Sequence, residues 1–394
     1  MGLRFLLLIL IFFCGYESFA LLPFANVQGV FHVSDIGIAL IWLGLFKHLA
    51  RPINQGRQSN INNMFTWFII FLLFFVFFQV SFATMNYNQN IIDGLIRSRQ
   101  QLYYGSFPLF LLLTDTRENT DKCMRSLAIL SLILICLAII SYFGPSIYQY
   151  ERAIHTATRS GIKRAAVQGV SIVLFAGFWY FVRYLNEKKA SIWFILFFLL
   201  TVAATIFRQT RMRIIALFLT ALLMLIIQKR FKVLIGLLFF VISSSALVSL
   251  TMEENILSSL FISAYEDATQ VKGTSKGRVE QIKADWEIFK EHPWLGNGGL
   301  VIRGKKDVRM TKDTFMAGYG SDLGYMHFMK YFGVAGVLWM ILFIQAFYLK
   351  LRKILKDPRT DMVMARFAGY MFTYIVIAEI TLYFFTATNG VLLL

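Results

Sequence analysis

The chain reads as a succession of long apolar stretches interrupted once, at residues 251–325, by about 75 mostly polar residues. A run such as 64–84 (MFTWFIIFLLFFVFFQVSFAT) is long enough, at ~1.5 Å per residue, to cross about 30 Å of hydrocarbon. Taken in order, such runs predict about eleven spans: 3–20, Asp35 to the residue before Lys47, 64–84, 101–114, 126–143, 165–182, 191–207, Arg211 to the residue before Lys229, 233–250, 326–349 and 367–386. Residues 3–20 read as an uncleaved first span, although their basic residue, apolar run and small end residues also fit a signal peptide, and either leaves residue 21 outside. The predicted fold is therefore an all-α integral membrane protein of about eleven transmembrane helices, with one large extracytoplasmic loop before the penultimate span. Its parts are a membrane domain (1–250, spans one to nine), the loop (251–325) and the last two spans (326–394).

Within the loop, SKGRVEQIKADWEIFKEHPWLGNGG places Val279, Ile282, Trp286, Ile288 and Phe289 at near-helical spacing, which predicts an amphipathic helix. Pro293 ends it, and the following GNGG predicts a tight turn that needs glycine's backbone freedom.

Composition agrees, with 57% hydrophobic residues, 15% charged and a mean hydropathy of +0.62. The net charge of +17 has to be divided by side of the membrane. Lys47, His48, Arg51 and Arg57, then Arg117, Lys122 and Arg125, then Arg183, Lys188 and Lys189, then Lys229, Arg230 and Lys232, then Lys350, Arg352, Lys353, Lys356 and Arg359 fall in alternate loops. That alternation sets the amino terminus inside. Cys14, Cys123 and Cys136 lie in or beside apolar segments, so neither a disulfide framework nor a metal cluster is implied. The absence of an internal repeat speaks against a transporter built from paired halves.

Three outer segments carry cations against the trend: Arg97 and Arg99, then Arg152, Arg159, Lys163 and Arg164, then Arg208, Arg211 and Arg213. An anion near the outer face is expected. Arg208 has two readings, snorkelling to lipid phosphate or binding a ligand. Arg211 and Arg213 enter the eighth span, where an unpaired charge costs at least ~2.5 kcal/mol and calls for a partner. The planar, permanently charged guanidinium suits a diphosphate. The loop is nearly charge-balanced, and its Arg278 reads either as a surface charge or as a ligand contact. Asp322 precedes the tenth span by one turn, His327 and Lys330 lie in its first turns, and Glu379 falls about 20 Å from the inner end of the eleventh. A pairing of Glu379 with Lys330 or Arg213 is one reading, and a catalytic acid or base the other.

These residues also carry a resemblance. TRMRIIALFLTALL resembles the arginine-containing helix start of the O-antigen ligase and polymerase superfamily of bacterial envelope glycan enzymes, with Arg211 on its arginine. GRVEQIKADWEIFKEHPWLGNGG resembles its arginine, helix and Pro-x-x-Gly-x-Gly segment at Arg278, Pro293, Gly296 and Gly298. DLGYMHFMKYFGVAG resembles its Gly-x-x-Gly motif at Gly333 and Gly336. Ligases of the family carry His eleven residues before the first of those glycines, where this chain has Asp322 followed by Leu323. The departure fits the polymerase side better.

The resemblance implies a glycosyltransferase of the bacterial inner membrane, free of metal and cofactor, with its site on the periplasmic face. Its donor would be a glycan on undecaprenyl diphosphate and its acceptor another lipid-linked repeat unit, with membrane lipids, a chain-length regulator and a flippase as partners and no nucleic acid. Arg208, Arg211, Arg213 and Arg278 would hold the donor diphosphate, Arg211 and Arg278 stabilising the departing charge. Asp322, then Glu379, then His327 are the candidates to position or deprotonate the acceptor hydroxyl. The alternatives are a ligase to lipid A core or another acceptor, and a flippase or exporter of lipid-linked glycan.

Overall fold

The computed structural model describes residues 26–27, 31–49, 77–86, 88–106, 117–143, 169–187, 191–207, 211–236, 274–298, 324–356 and 361–378, with scattered positions elsewhere. Apart from a small hairpin, β1 (Asn26–Val27) with β2 (Phe31–His32), their regular structure is helical. The helices are α1 (Val33–Leu49), α2 (77–86), α3 (Ile91–Ser98), α4 (Arg117–Phe143), α5 (Val170–Asn186), α6 (Ile192–Phe207), α7 (Arg211–Ile227), α8 (Thr274–Glu291), α9 (Gly324–Lys356) and α10 (Met362–Ala378). A 3₁₀ segment, Arg99–Gly105, stands where the fourth span is predicted to begin. The full span count and loop residues 251–273 and 299–323 lie outside the described residues.

Two stretches, Arg117–Ile140 and Phe328–Lys356, are long and apolar enough to cross a membrane by length and composition. Four shorter apolar helices accompany them. The two long helices present apolar side chains outward as well as inward: Ile129, Ile133, Leu338 and Leu342 are all exposed. A bundle apolar on both its inner and outer faces is one built for a lipid surround.

α5 is the hub, packing against α4, α6 and α10. Phe178, Trp179 and Phe181 are fully buried, and Phe181 stacks on Phe198 of α6 at 4.0 Å. Gly177 lets α6 approach closely at Thr201, whose hydroxyl donates to the Phe197 carbonyl at 3.1 Å and lies 3.3 Å from that of Val173. Small-residue crossings of this kind are how membrane helices pack.

Charges fix how the helix ends are paired. Arg183, at the end of α5, reaches Asp121 near the start of α4 at 3.1 Å and Glu187 at 2.9 Å. Arg117 pairs with Glu187 and, at 3.3 Å, with Asp361, which caps α10 through the Val363 N–H at 2.9 Å. Arg230, just past α7, donates to the Leu185 carbonyl, and Arg366 of α10 donates to Asn186. The starts of α4 and α10 and the ends of α5 and α7 therefore meet at one end of the bundle. The alternation of basic loops predicts the same, inner side for all four. The start of α7 and the end of α10 accordingly lie at the opposite end, about 25 Å away along α7.

Candidate functional site

At that opposite end α8 and α9 join the bundle. The phenolic oxygen of Tyr325, in the first turn of α9, donates to the Val376 carbonyl in the last turn of α10 at 2.6 Å. α8 packs on α9, and α7 packs on α10. The elements predicted to carry the site thus gather at one end: the start of α7, the start of α9, the end of α10, and α8.

The turn after α8 holds this arrangement by splicing itself into α9. At Gly333 the helix breaks, with φ 61° and ψ −158°. In an unbroken helix Val334 and Ala335 would donate to Lys330 and Tyr331, four residues back. Here Val334 N–H donates to the Pro293 carbonyl at 2.8 Å and Ala335 N–H to that of Trp294 at 3.0 Å. The freed carbonyls of Lys330 and Tyr331 accept from Asn297 N–H at 3.0 Å and Gly298 N–H at 3.2 Å. All four groups that the break orphans are satisfied by residues 293–298, as burial requires.

The splice explains the glycines. Gly296 and Gly298 have φ of 70° and 72°. A Cβ on Gly296 would meet the backbone of Tyr331 and Phe332, the latter's nitrogen at 2.6 Å, and one on Gly298 would come 2.6 Å from the Gln79 carbonyl of α2. One on Gly333 would lie 2.6 Å from the nitrogens of Leu295 and Gly296. The tight turn predicted from GNGG is present, and its glycines are needed for close approach as well as for φ.

Beside the splice lies a buried ion pair. Lys330 Nζ of α9 donates to Asp285 Oδ1 of α8 at 2.8 Å, the two side chains being 0% and 2% exposed. The second carboxylate oxygen of Asp285 is buried without a hydrogen bond. Lys330 therefore pairs with Asp285, an acid that sequence reasoning missed, and the pairing read for Glu379 with Lys330 or Arg213 falls on a residue outside the described ones. Nothing singled out Asp285: in VEQIKADWEIFKE it is one of several alternating charges on what looks like a solvated helix. The available signal was Lys330, a cation at the start of an apolar span that requires an acid.

The predicted helix is present and stops before Pro293, with its apolar residues divided between the protein and the outside. Val279, Ile282 and Trp286 are exposed, while Asp285 and Ile288 are buried. Spacing identifies an apolar stripe and does not say what covers it. Of the outer cations, Arg99 pairs with Asp35 of α1 at 3.0 Å. Asp35 lies inside the first turn of α1, which starts at Val33 and so extends past the position read as its cap.

Of the other site residues, Arg208, Asp322 and Glu379 lie outside the described residues. Arg211 opens α7, Arg278 occupies the second turn of α8, and His327 falls in the first turn of α9. Arg213 is buried, 9% exposed, in the first turn of α7. Among the described residues no cluster of three or more His, Cys, Asp or Glu side chains is arranged to hold a metal.

Fold and site together define a bundle of apolar helices of membrane-spanning type, with α8 fastened to the first turns of α9. Residues 195–341, which run from α6 into α9 and contain all three motifs, match the family described as O-antigen ligase. The match supports membership of the O-antigen ligase and polymerase superfamily, glycosyltransferase-like enzymes of glycan assembly in the bacterial inner membrane. No curated protein matches the chain.

Proposed function

We propose that this protein is a surface polysaccharide polymerase of the bacterial inner membrane. It moves glycan from undecaprenyl diphosphate onto the sugar of another lipid-linked repeat unit at the periplasmic face, without a metal or cofactor. The observation that carries this reading is the gathering of α7, α8, α9 and α10 at the end of the bundle opposite the basic helix ends. Arg211 and Arg278 are on two of these elements, and in sequence Asp322 lies two residues before α9 and Glu379 immediately after α10.

In the proposed reaction the acceptor hydroxyl attacks the anomeric carbon as the bond to the diphosphate breaks. The diphosphate leaves with the bonding electrons, and the hydroxyl proton passes to a base. Arg211 and Arg278 offset the charge that develops on the leaving diphosphate, with Arg208 and Arg213 adding to the field; one such pair at 4 Å contributes about 4 kcal/mol at an effective dielectric near 20. Asp322 orients or deprotonates the acceptor, with Glu379 and His327 next in order. Chain-length regulator and flippase proteins are the expected partners.

The ligase reading is kept because the matched family is described by that activity. Asp322, standing where ligases carry His, favours polymerase. The lipid-linked products of a deletion strain separate the readings. A single repeat unit on lipid A core means a lost polymerase, long chains left on undecaprenyl diphosphate a lost ligase, and donor retained inside a lost flippase.

A further inference from the structure

The exposed stripe of α8 has no role in the reading above. Val279, Ile282 and Trp286 follow one another at i, i+3 and i+7, and the Trp286 ring stacks on Phe289 at 5.2 Å. Trp286 is 45% exposed, and Trp294 in the turn 73%. A soluble loop helix would bury this stripe and expose Asp285. Here Asp285 is inside and the stripe outside.

Three observations say what covers it. The first is level. Asp285 joins α8 to Lys330, and Lys330 stands twenty residues from Lys350 on α9, a run that across the break at Gly333 is still on the order of one hydrocarbon thickness, about 30 Å. α8 therefore runs at the border of the membrane. The second is continuity. The Trp294 carbonyl holds Ala335, and Ala335, Leu338 and Leu342 form one exposed apolar face along α9. Trp294 sits at the head of that lipid-facing strip, at the depth where tryptophan is enriched. The third is the order of charge around α8. At 100° per residue exposed Lys290 and Lys283 border the stripe on one side, Lys290 also pairing with Glu287 at 2.8 Å, and the exposed acids Glu287 and Glu291 lie farther round. Apolar residues, then lysines, then acids is the order for a helix lying on an anionic lipid surface.

We infer that α8 is an interfacial membrane helix: Val279, Ile282, Trp286 and Trp294 insert into the headgroup and acyl boundary of the outer leaflet, with Lys283 and Lys290 at the lipid phosphates. The lipid surface holds this helix at the depth where a membrane-anchored diphosphate lies. The inference concerns where α8 sits and stands whether or not the glycosyltransferase reading does.

The test uses the full chain, with its three cysteines replaced, in nanodiscs of phosphatidylethanolamine and phosphatidylglycerol. Nitroxides go singly on cysteines at positions 279, 282, 286, 287, 291 and 294, and power-saturation spectra compare access of oxygen with that of a water-soluble nickel chelate. All six native side chains lie outside the Asp285–Lys330 contact and the glycine splice. The oxygen-to-nickel ratio at 279, 282, 286 and 294 is expected to exceed that at 287 and 291 by at least about threefold. Equal ratios at all six positions would mean the stripe is in water. Exclusion of both reagents from 282 and 286 would mean protein covers it. Either outcome overturns the inference.

Discussion

The Asp285–Lys330 pair offers the sharpest quantitative test of the architecture. Asp285→Ala removes the carboxylate with which the Lys330 ammonium group, 0% exposed, is paired. At 2.8 Å and an effective dielectric near 20 the lost attraction is about 6 kcal/mol, and the desolvation of the two ions is set against it. Breaking one side of a buried pair costs about 3–5 kcal/mol in practice. The four backbone bonds of the splice contribute about 1 kcal/mol each, so ion pair and splice are of similar weight in holding α8 to α9. Loss of the acid is therefore expected to raise the undocked population of α8 by about 10² to 10⁴ without unfolding the bundle. Trypsin reads this directly, because Lys283 and Lys290 are exposed residues of α8 whose backbone is cut only when the helix opens. Cleavage slow relative to closing tracks that open population. Lys330→Met should accelerate cutting comparably, and D285L/K330M should return it to within about threefold of wild type, since apolar replacement of both partners is near neutral. Wild-type cleavage of Asp285→Ala, or a double variant no better than either single one, would refute the buried pair.

Four further outcomes follow from the same structure. Gly296→Ala combines a strained positive φ, about 1–3 kcal/mol, with a collision against α9 backbone, so its α8 should be cut at least tenfold faster; Gly236→Ala, with nothing within 4 Å of the new methyl, should match wild type. In a cysteine-free background, Ser275→Cys should react with an impermeant reagent added outside and Thr360→Cys should not, the reverse pattern overturning the assigned sidedness. Arg278→Ala should lower turnover about 10²-fold with α8 still docked, with Lys rescuing only in part; normal polymerisation would make Arg278 a surface charge. Asp322→Asn keeps capping ability and loses the base, so rates about 10² to 10⁴ lower are expected, whereas a stable and fully active protein would move Glu379 to first candidate.

What could be read from the chain divides along a physical line. Helix α8, its stop before Pro293 and the GNGG turn were legible because they depend on local propensity and backbone freedom. The pairing of helix ends was legible in part, because basic residues at Arg117, Arg183, Arg230 and Arg366 fall on alternate helix ends. The acids that pair with Arg117 and Arg183, namely Asp121, Glu187 and Asp361, sit at the same helix ends. The partners of Arg99 and Lys330 were not legible, since Asp35 and Asp285 lie 64 and 45 residues away and each has a sufficient local reading, as a cap or as a solvated charge. The facing of α8 was hidden for a related reason. Spacing locates an apolar stripe, but protein and lipid present the same apolar surroundings to it.

The same division bears on what the family motifs report. Pro293, Gly296, Gly298 and Gly333 are wholly engaged in fastening the turn to the break in α9, through carbonyls, positive φ and approaches that admit no Cβ. Gly336 lies against Phe328 and Phe332 on the same helix. None of the five brings a side-chain group that could move a proton or meet a phosphate. Most of the matched pattern is therefore a docking signature: it fixes that α8 and the turn after it are locked onto the break in α9 and is indifferent to the acceptor used there. The choice between extending a lipid-linked chain and ligating it to another acceptor must rest on the few positions with chemistry to contribute. Among those, Asp322 is where this chain parts from the ligase pattern, and Arg211 and Arg278 are what either reaction would need from a diphosphate donor. A chimera that changes Asp322→His and Leu323→Asn while leaving every glycine in place would test that separation. Its α8 should remain as resistant to trypsin as wild type while its lipid-linked products change. Products unchanged by the swap would mean that acceptor choice lies outside this motif.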